Sequence, residues 1–473
     1  MKGNAILFPR LNSLKISGAD ALPLIEGGKG VSITTGASSG AWAATGGVGT
    51  FSGVNADEYD KEGNIIKQVY SGLTRIDRHE ELVDYAIKGG IAQARVAHDM
   101  RKNSGRLHVN ILWEMGAAER VLIGILEKAG ELIDGVTCGA GMPYRLGDIS
   151  AKFRIFYYPI ISSARAFKIL YKRAYIRSTE WLGGVVYEDP WLAGGHNGLS
   201  NNEDPLKPED PLPRVLELRK EMCAVGLSEV PIIMAGGVWY LRDWIDWIDN
   251  KDIGPIAFQF GTRALLTRES PIPDKWKKKL LTLNKGDTVL HRFSPTNFWS
   301  SAVKNNFIKE LMQRGKRQLK ASLSKEGKIN VPVETGKTRK RVYYFSKEEA
   351  IKAKNWIAQG FKEVMKTPDN NALFVSAERA SQIRTDQKNC MGCLSQCKFS
   401  NWADNSKHST GKKADPRSFC IQKTLQDIVH DGNIDTELMF AGDNAWRFNK
   451  DPFYSNGFVP SVKQLVERIL SGD

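Results

Sequence analysis

The feature that most constrains this chain is a repeated pattern of short apolar runs, several ending in a glycine-rich turn and most followed by a helical pattern. Ile256-Ala257-Phe258-Gln259-Phe260 ends in Gly261-Thr262, Val230-Pro231-Ile232-Ile233-Met234 in Ala235-Gly236-Gly237, and Leu132–Cys138 in Gly139-Ala140-Gly141. Further strand patterns fall at Ala21–Ile25, Gly46–Phe51, Leu107–Ile111, Arg154–Ile161 and Gly183–Tyr187. Apolar spacing predicts helices from His79 to about Met100, Glu119 to Ala129, Ala164 to Tyr175 and near Arg214–Val225, with a Trp-rich helix at about Leu241–Asp249. Such alternation implies parallel strands joined by right-handed crossovers. Eight units in roughly 260 residues suit an α/β chain folded as a (β/α)8 TIM barrel. A doubly wound open sheet has the same periodicity and stays open at this level.

The chain is long enough for a barrel plus an extension, and the pattern divides it at about residue 320. Residues 1–320 are expected to form the barrel, with a polar insertion at about 52–78. Residues 321–473 form a mostly helical, cysteine-rich C-terminal extension ending in an amphipathic helix at about Val462–Leu470, suited to packing on the barrel or on a second subunit. No apolar run is long enough to cross a membrane, and the N-terminal apolar stretch (Ala5–Phe8) is too short for a secretion signal. A cytoplasmic location is the expectation. The formal net charge of +14 invites a nucleic-acid reading. However, the basic residues concentrate between Lys275 and Arg341, densest at Lys277-Lys278-Lys279 and Arg339-Lys340-Arg341, with acids interleaved and no aromatic-rich binding pattern. A solvated face is expected there, and no nucleic-acid partner.

The chemistry collects at strand ends. Ala193-Gly194-Gly195-His196-Asn197-Gly198 follows the Gly183–Tyr187 run. It places a titratable imidazole among glycines, where α/β barrels keep their reactive groups. Glycine turns after strands seven and eight, each leading toward a helix, make the usual phosphate site of such barrels. No Gly-x-Gly-x-x-Gly with a suitably placed acid follows a strand, so a mononucleotide is preferred to a dinucleotide. Four of the six cysteines form Cys390-x2-Cys393-x3-Cys397 with Cys420 beyond. Such clustering points to a metal centre rather than disulfides. Four thiolates without histidine suit a [4Fe–4S] cluster, with structural zinc as the alternative.

Six segments in order resemble the nitronate monooxygenase (2-nitropropane dioxygenase) family, FMN-dependent barrels that include the FMN-type enoyl-ACP reductases. They are Pro23–Gly28, Val109-Asn110, Val136–Pro143, Ala193–Gly198, Pro231–Val238 and Gln259–Leu266. The resemblance implies that His196 is the catalytic base, that Glu26, Gly27, Gly28 and Asn110 approach the flavin, and that Gly194 and Gly195 let the histidine loop pack beside it. It further implies that Gly236, Gly237, Gly261 and Thr262 bind the FMN phosphate, with Gln259 adjoining. The implied activity is oxidation of alkyl nitronates with O2. Reduction of an enoyl thioester by NAD(P)H is the alternative. The thiol spacing is locally similar to the cluster segment of iron–sulfur old-yellow-enzyme reductases.

Overall fold

A computed structural model describes residues 11–336, 340–430 and 432–473. The N-terminal stretch to residue 10 and Arg339 of the basic run lie outside the described residues.

Eight parallel strands close into a barrel. They are β1 (Leu24–Glu26), β2 (Val48–Ser52), β3 (Arg106–Leu112), β4 (Gly135–Gly139), β5 (Phe156–Ile161), β6 (Val185–Glu188), β7 (Ile232–Ala235) and β8 (Ile256–Phe260). The β8–β1 pairing (Phe258 opposite Leu24) closes the ring, so the open-sheet alternative falls. A short hairpin, Leu14–Ile16 with Ala19–Ala21, plugs the bottom. Its Ile16 and Ala21 pack with Ile25, Val48, Val186, Ile233 and Ala257 inside the ring. His108 and Tyr158 cross the same layer and bond Ser17 Oγ at 3.0 and 2.8 Å, which satisfies polar atoms far from the mouth.

Six strands are followed by α-helices: α1 (Gly36–Ala43), α2 (Arg75–Arg101), α3 (Ala118–Ala129), α4 (Leu146–Phe153), α5 (Ala164–Arg173) and α6 (Pro211–Cys223). Helix α2 begins four residues before the expected His79. Thr74 and Asp77 form a reciprocal capping box that satisfies free N–H groups of the first turn. The last two units depart from expectation. The Trp-rich stretch is only a 3-10 turn, Leu241–Trp244. Arg242 N–H bonds the Gly472 carbonyl at 2.9 Å, and Trp244 packs edge-on against Trp247, so tertiary contacts displace the helical ladder. The turn after β8, Arg263–Leu265, is equally short, and α7 (Asp274–Leu280) follows it. On α7, Lys275 and Lys278 are exposed as expected, whereas Lys277 turns inward and donates to the Ser270 carbonyl at 2.9 Å.

Beyond the barrel, β9 (Thr288–His291) and β10 (Ser300–Val303) form an antiparallel pair that the two-residue strand Gly195–His196 joins. Helix α8 (Asn306–Lys316) leads into a small unit. It contains β11 (Val331–Thr335), β12 (Arg341–Phe345), α9 (Lys347–Ala358), β13 (Glu363–Lys366) and β14 (Ala372–Val375). Its strands form two antiparallel pairs that the residue pattern did not signal. This unit has its own apolar cluster around Val333, Phe345 and Phe374. Later residues return to the barrel: α10 (Ala377–Lys388), α11 (Ile421–Val429) and α12 (Val462–Leu470) bring Ile383, Leu425 and Leu465 into the barrel's main outer core. Helix α12 has the bounds expected from its pattern. No described helix is long and apolar enough to cross a membrane.

Candidate active site

The carboxyl ends of the strands open into a cavity of about 1530 Å³, counting its mouth. Nearly every residue expected to hold the cofactor lines it: Gly27, Gly28, Asn110, Gly194, Gly195, Gly236, Gly237, Gln259, Gly261 and Thr262, with His196 among them. They come from five strand ends, so the barrel register itself gathers them. Glu26 is the exception. Its buried carboxylate turns from the cavity toward α1 and accepts from Ser39 Oγ at 2.7 Å. Burial pushes its pKa up.

The glycines serve close approach. A Cβ at Gly28 would fall 2.3 Å from Asn110 Cβ, so only glycine lets the turn after β1 pass this close to Asn110 of β3. Gly236 and Gly237 take φ +82° and +79°, and a Cβ on Gly237 would meet Leu192 Cδ1 at 2.6 Å. A Cβ on Gly261, in contrast, meets nothing within 4 Å and would project into open space. That corner has room for a phosphate beside backbone N–H groups. The elements after both corners are single 3-10 turns, so those N–H groups, rather than a helix dipole, are what the corners offer an anion.

His196 is half-buried in the cavity wall. Its Nε2 shares a 2.6 Å hydrogen bond with Ser294 Oγ, which continues to Thr296 Oγ1 at 2.9 Å. Phe440 and Phe298 meet the ring edge-on at 5.6 and 6.3 Å. Burial lowers its pKa to about 4, so the imidazole is neutral at physiological pH. His291 lies two strands away in the same cross-strand row, through Ser300, and burial lowers it further, to about 3.

Several lining residues went unnoticed in the sequence. Lys29 and Glu188 face the cavity from the ends of β1 and β6. Burial lowers Lys29 and raises Glu188, each to about 8. Phe440, Gly442 and Asn444 form part of a roof: Gly442 N–H donates to Thr262 Oγ1 at 2.9 Å, and Asn444 Nδ2 to the Gly237 carbonyl at 2.6 Å. Cys393, Leu394, Ile421, Gln422 and Leu425 continue that roof. The usable signal was the glycine in Phe440-Ala441-Gly442-Asp443-Asn444, but no strand pattern marks it as a mouth residue.

The cysteines form one buried neighbourhood. Cys393 feels the charges of Cys390, Cys397 and Cys420, and burial raises its pKa well above that of an ordinary thiol. Each sulfur accepts a backbone N–H: Cys390 from Gly392 at 3.5 Å, Cys393 from Gln422, Cys397 from Phe399 and Ser400, and Cys420 from Lys423. Yet among the described residues no three histidine, cysteine or acidic side chains are placed to hold a metal ion. The expected ligand set Cys390, Cys393, Cys397 and Cys420 is therefore not supported as a single-ion site. Cys138 is a fully buried strand residue.

An enoyl reductase domain of MlnA from the macrolactin biosynthesis cluster of Bacillus amyloliquefaciens is similar over 95% of this chain and 93% of its own, at 12% identity and TM-score 0.52. FabK from Thermotoga maritima covers 95% and 92%, at 14% and 0.48. A nitroalkane oxidase from Streptomyces ansochromogenes covers 61% and 79%, at 15% and 0.44. At these identities the likeness concerns the fold. No curated protein matches the chain. The profile of the nitronate monooxygenase family matches residues 13–472, almost the whole chain. With that match and a barrel mouth that gathers the expected residues, the chain belongs to the nitronate monooxygenase family of FMN-dependent oxidoreductases.

Proposed function

We propose that FMN lies across the barrel mouth, its phosphate at the β7 and β8 corners and its reactive edge toward His196, and that the enzyme oxidises alkyl nitronates with O2. The observation that carries this reading is the convergence of His196, Asn110, Gln259 and the glycine corners in one cavity. When bound, FMN supplies the redox chemistry between the nitronate and O2. The protein's share is orientation and proton handling. Ser294 holds His196 Nε2, which leaves Nδ1 as the ring nitrogen that can take a proton. With its pKa near 4, His196 is a ready but weak proton acceptor. That favours a preformed nitronate over a neutral nitroalkane, whose proton must first be removed. Mixing the yellow holoenzyme anaerobically with a nitronate should bleach the flavin. Rapid bleaching by NAD(P)H and none by nitronates would transfer the assignment to enoyl-thioester reduction.

For the four thiols we infer an iron–sulfur centre rather than zinc. The backbone N–H group aimed at each sulfur favours a thiolate, while burial and the neighbouring sulfurs oppose it until a cationic centre is present, and a multi-iron cluster takes each sulfur on a separate iron instead of drawing all four to one ion. Iron and acid-labile sulfide in the wild type, both lost in Cys393→Ser, are the expected analysis. Zinc, or no metal, overturns this reading.

A further inference from the structure

Among the described residues lining the cavity, Lys29 is the sole lysine or arginine. Its loop is built with care. Lys29 N–H donates to Thr34 Oγ1 at 2.9 Å, and Thr34 Oγ1 donates back to the Lys29 carbonyl at 3.1 Å. Between them Val31 and Ser32 sit at φ 51° and 60°. A left-handed backbone is costly for a β-branched residue, and such strain is typically kept where a ligand is clamped. Lys29 Nζ is steadied by the Gly27 carbonyl at 2.6 Å. No described carboxylate comes within ion-pair distance of it. Glu26 is the one charge that acts on it, and that group is engaged by Ser39. An ammonium in such a place has no counter-ion in contact with it, which is unfavourable until an anion arrives. The space beside it is apolar: the Gly30 position packs on Val54 and Leu112, and Val31 and Ile33 line the same wall.

We propose that Lys29 is the anion-recognition group of this cavity, binding the planar O–N–O head of a nitronate whose alkyl part lies against Val31, Ile33, Val54 and Leu112. This rests on the function proposed above. A second source of anionic oxygen is the FMN phosphate, because Gly27 abuts Gly261, where a Cβ would lie 3.2 Å from Gly261 Cα. The experiment separates the two.

Nitrate, which shares the planar head, is titrated into the FMN-loaded full-length protein and followed by flavin absorbance, while FMN affinity is measured by fluorescence quenching. Lys29→Met should weaken nitrate at least tenfold and leave FMN affinity within twofold, with Lys29→Arg restoring nitrate binding. Wild-type nitrate affinity should be level below pH 8 and fall tenfold per unit above it, as the ammonium loses its proton. Glu188 titrates in the same range across the cavity, and His196 far below it. The dependence must therefore persist in Glu188→Gln and vanish in Lys29→Met. Unchanged nitrate affinity in Lys29→Met overturns the proposal. So does a parallel loss of FMN, which would assign Lys29 to the phosphate. Should Lys29→Met not fold, the pH titrations of wild type and Glu188→Gln decide alone. Intact nitrate dependence with no nitronate oxidation overturns the proposed function and leaves the anion group standing.

Discussion

The floor and the roof of the cavity are built in different ways. The floor consists of strand ends, where register fixes each residue: Glu188, Ala235 and Gln259 stand side by side because β6, β7 and β8 pair in that order. The roof, from about 390 to 444, is largely irregular and is tied down by single bonds. Gly116 N–H bonds the Cys393 carbonyl at 3.0 Å, Ser395 N–H the Glu114 carbonyl at 2.7 Å, and Gly442 N–H Thr262 Oγ1 at 2.9 Å. A floor fixed by sheet register suits groups that must be placed precisely. A roof fixed by a few bonds suits closure and choice of substrate.

The largest effect that can break this division is expected at the wall, where strand pairing with Ser300 fixes His196 as register fixes the floor. His196→Asn should lower turnover of neutral nitroalkanes by about 10²–10⁴-fold while FMN stays bound, as measured by oxygen uptake. The loss should be smaller for preformed nitronates, which need no proton removed. Because burial holds the wild-type imidazole near 4, the His196 contribution should be level from pH 5 to 7 and fall only in more acid solution. An inflection near 6.5 that disappears in His196→Asn would show a solvated ring and defeat the placement.

A paired comparison of glycines ranks next. Alanine at Gly442 puts a Cβ 2.6 Å from the Leu192 carbonyl oxygen and 3.2 Å from Thr262 Oγ1. Roof and floor must then separate, at a cost of about 1–3 kcal/mol. Gly442→Ala should lower both the melting temperature of the flavin-free protein and its FMN affinity, the latter by about tenfold. Gly261→Ala has open space around it and should leave that melting temperature unchanged, yet weaken FMN by filling the phosphate's place. If both variants melt alike and bind FMN alike, roof and floor do not differ as claimed.

The same division governs what could be read from residues alone. Short apolar runs revealed the eight strands, and β8 falls at Ile256–Phe260 as expected, because burial on both faces leaves such strands a continuous apolar pattern. Gly236, Gly261 and His196 were legible for the same reason. Lys29 and Glu188 were not, since a single charged residue beside a strand looks like any surface residue until the barrel closes around it. Glu26 misled in the opposite sense: its place in the motif is right, but its carboxylate goes to Ser39. The roof escaped because its bonds to Glu114, Gly116 and Thr262 span between 180 and 281 residues, beyond any local pattern. Tertiary contacts also cancelled the helix expected at about Leu241–Asp249.

The smallest predicted effect tests whether Glu188 belongs to the floor's closed environment. Burial raises its folded-state pKa to about 8, with Asp189 adding to the shift. In the unfolded chain the carboxyl returns to its ordinary value near 4.5. Between these values the native state keeps a proton that the unfolded state releases, so stability falls as pH rises from about 4.5, and the full penalty is present above 8. Glu188→Gln removes the group that ionises while keeping its shape. In the flavin-free protein it should raise the melting temperature by about 2 °C at pH 9 and not at all at pH 4. Equal effects at both values would mean that water reaches Glu188 freely, and the floor at β6 would then be open rather than enclosed.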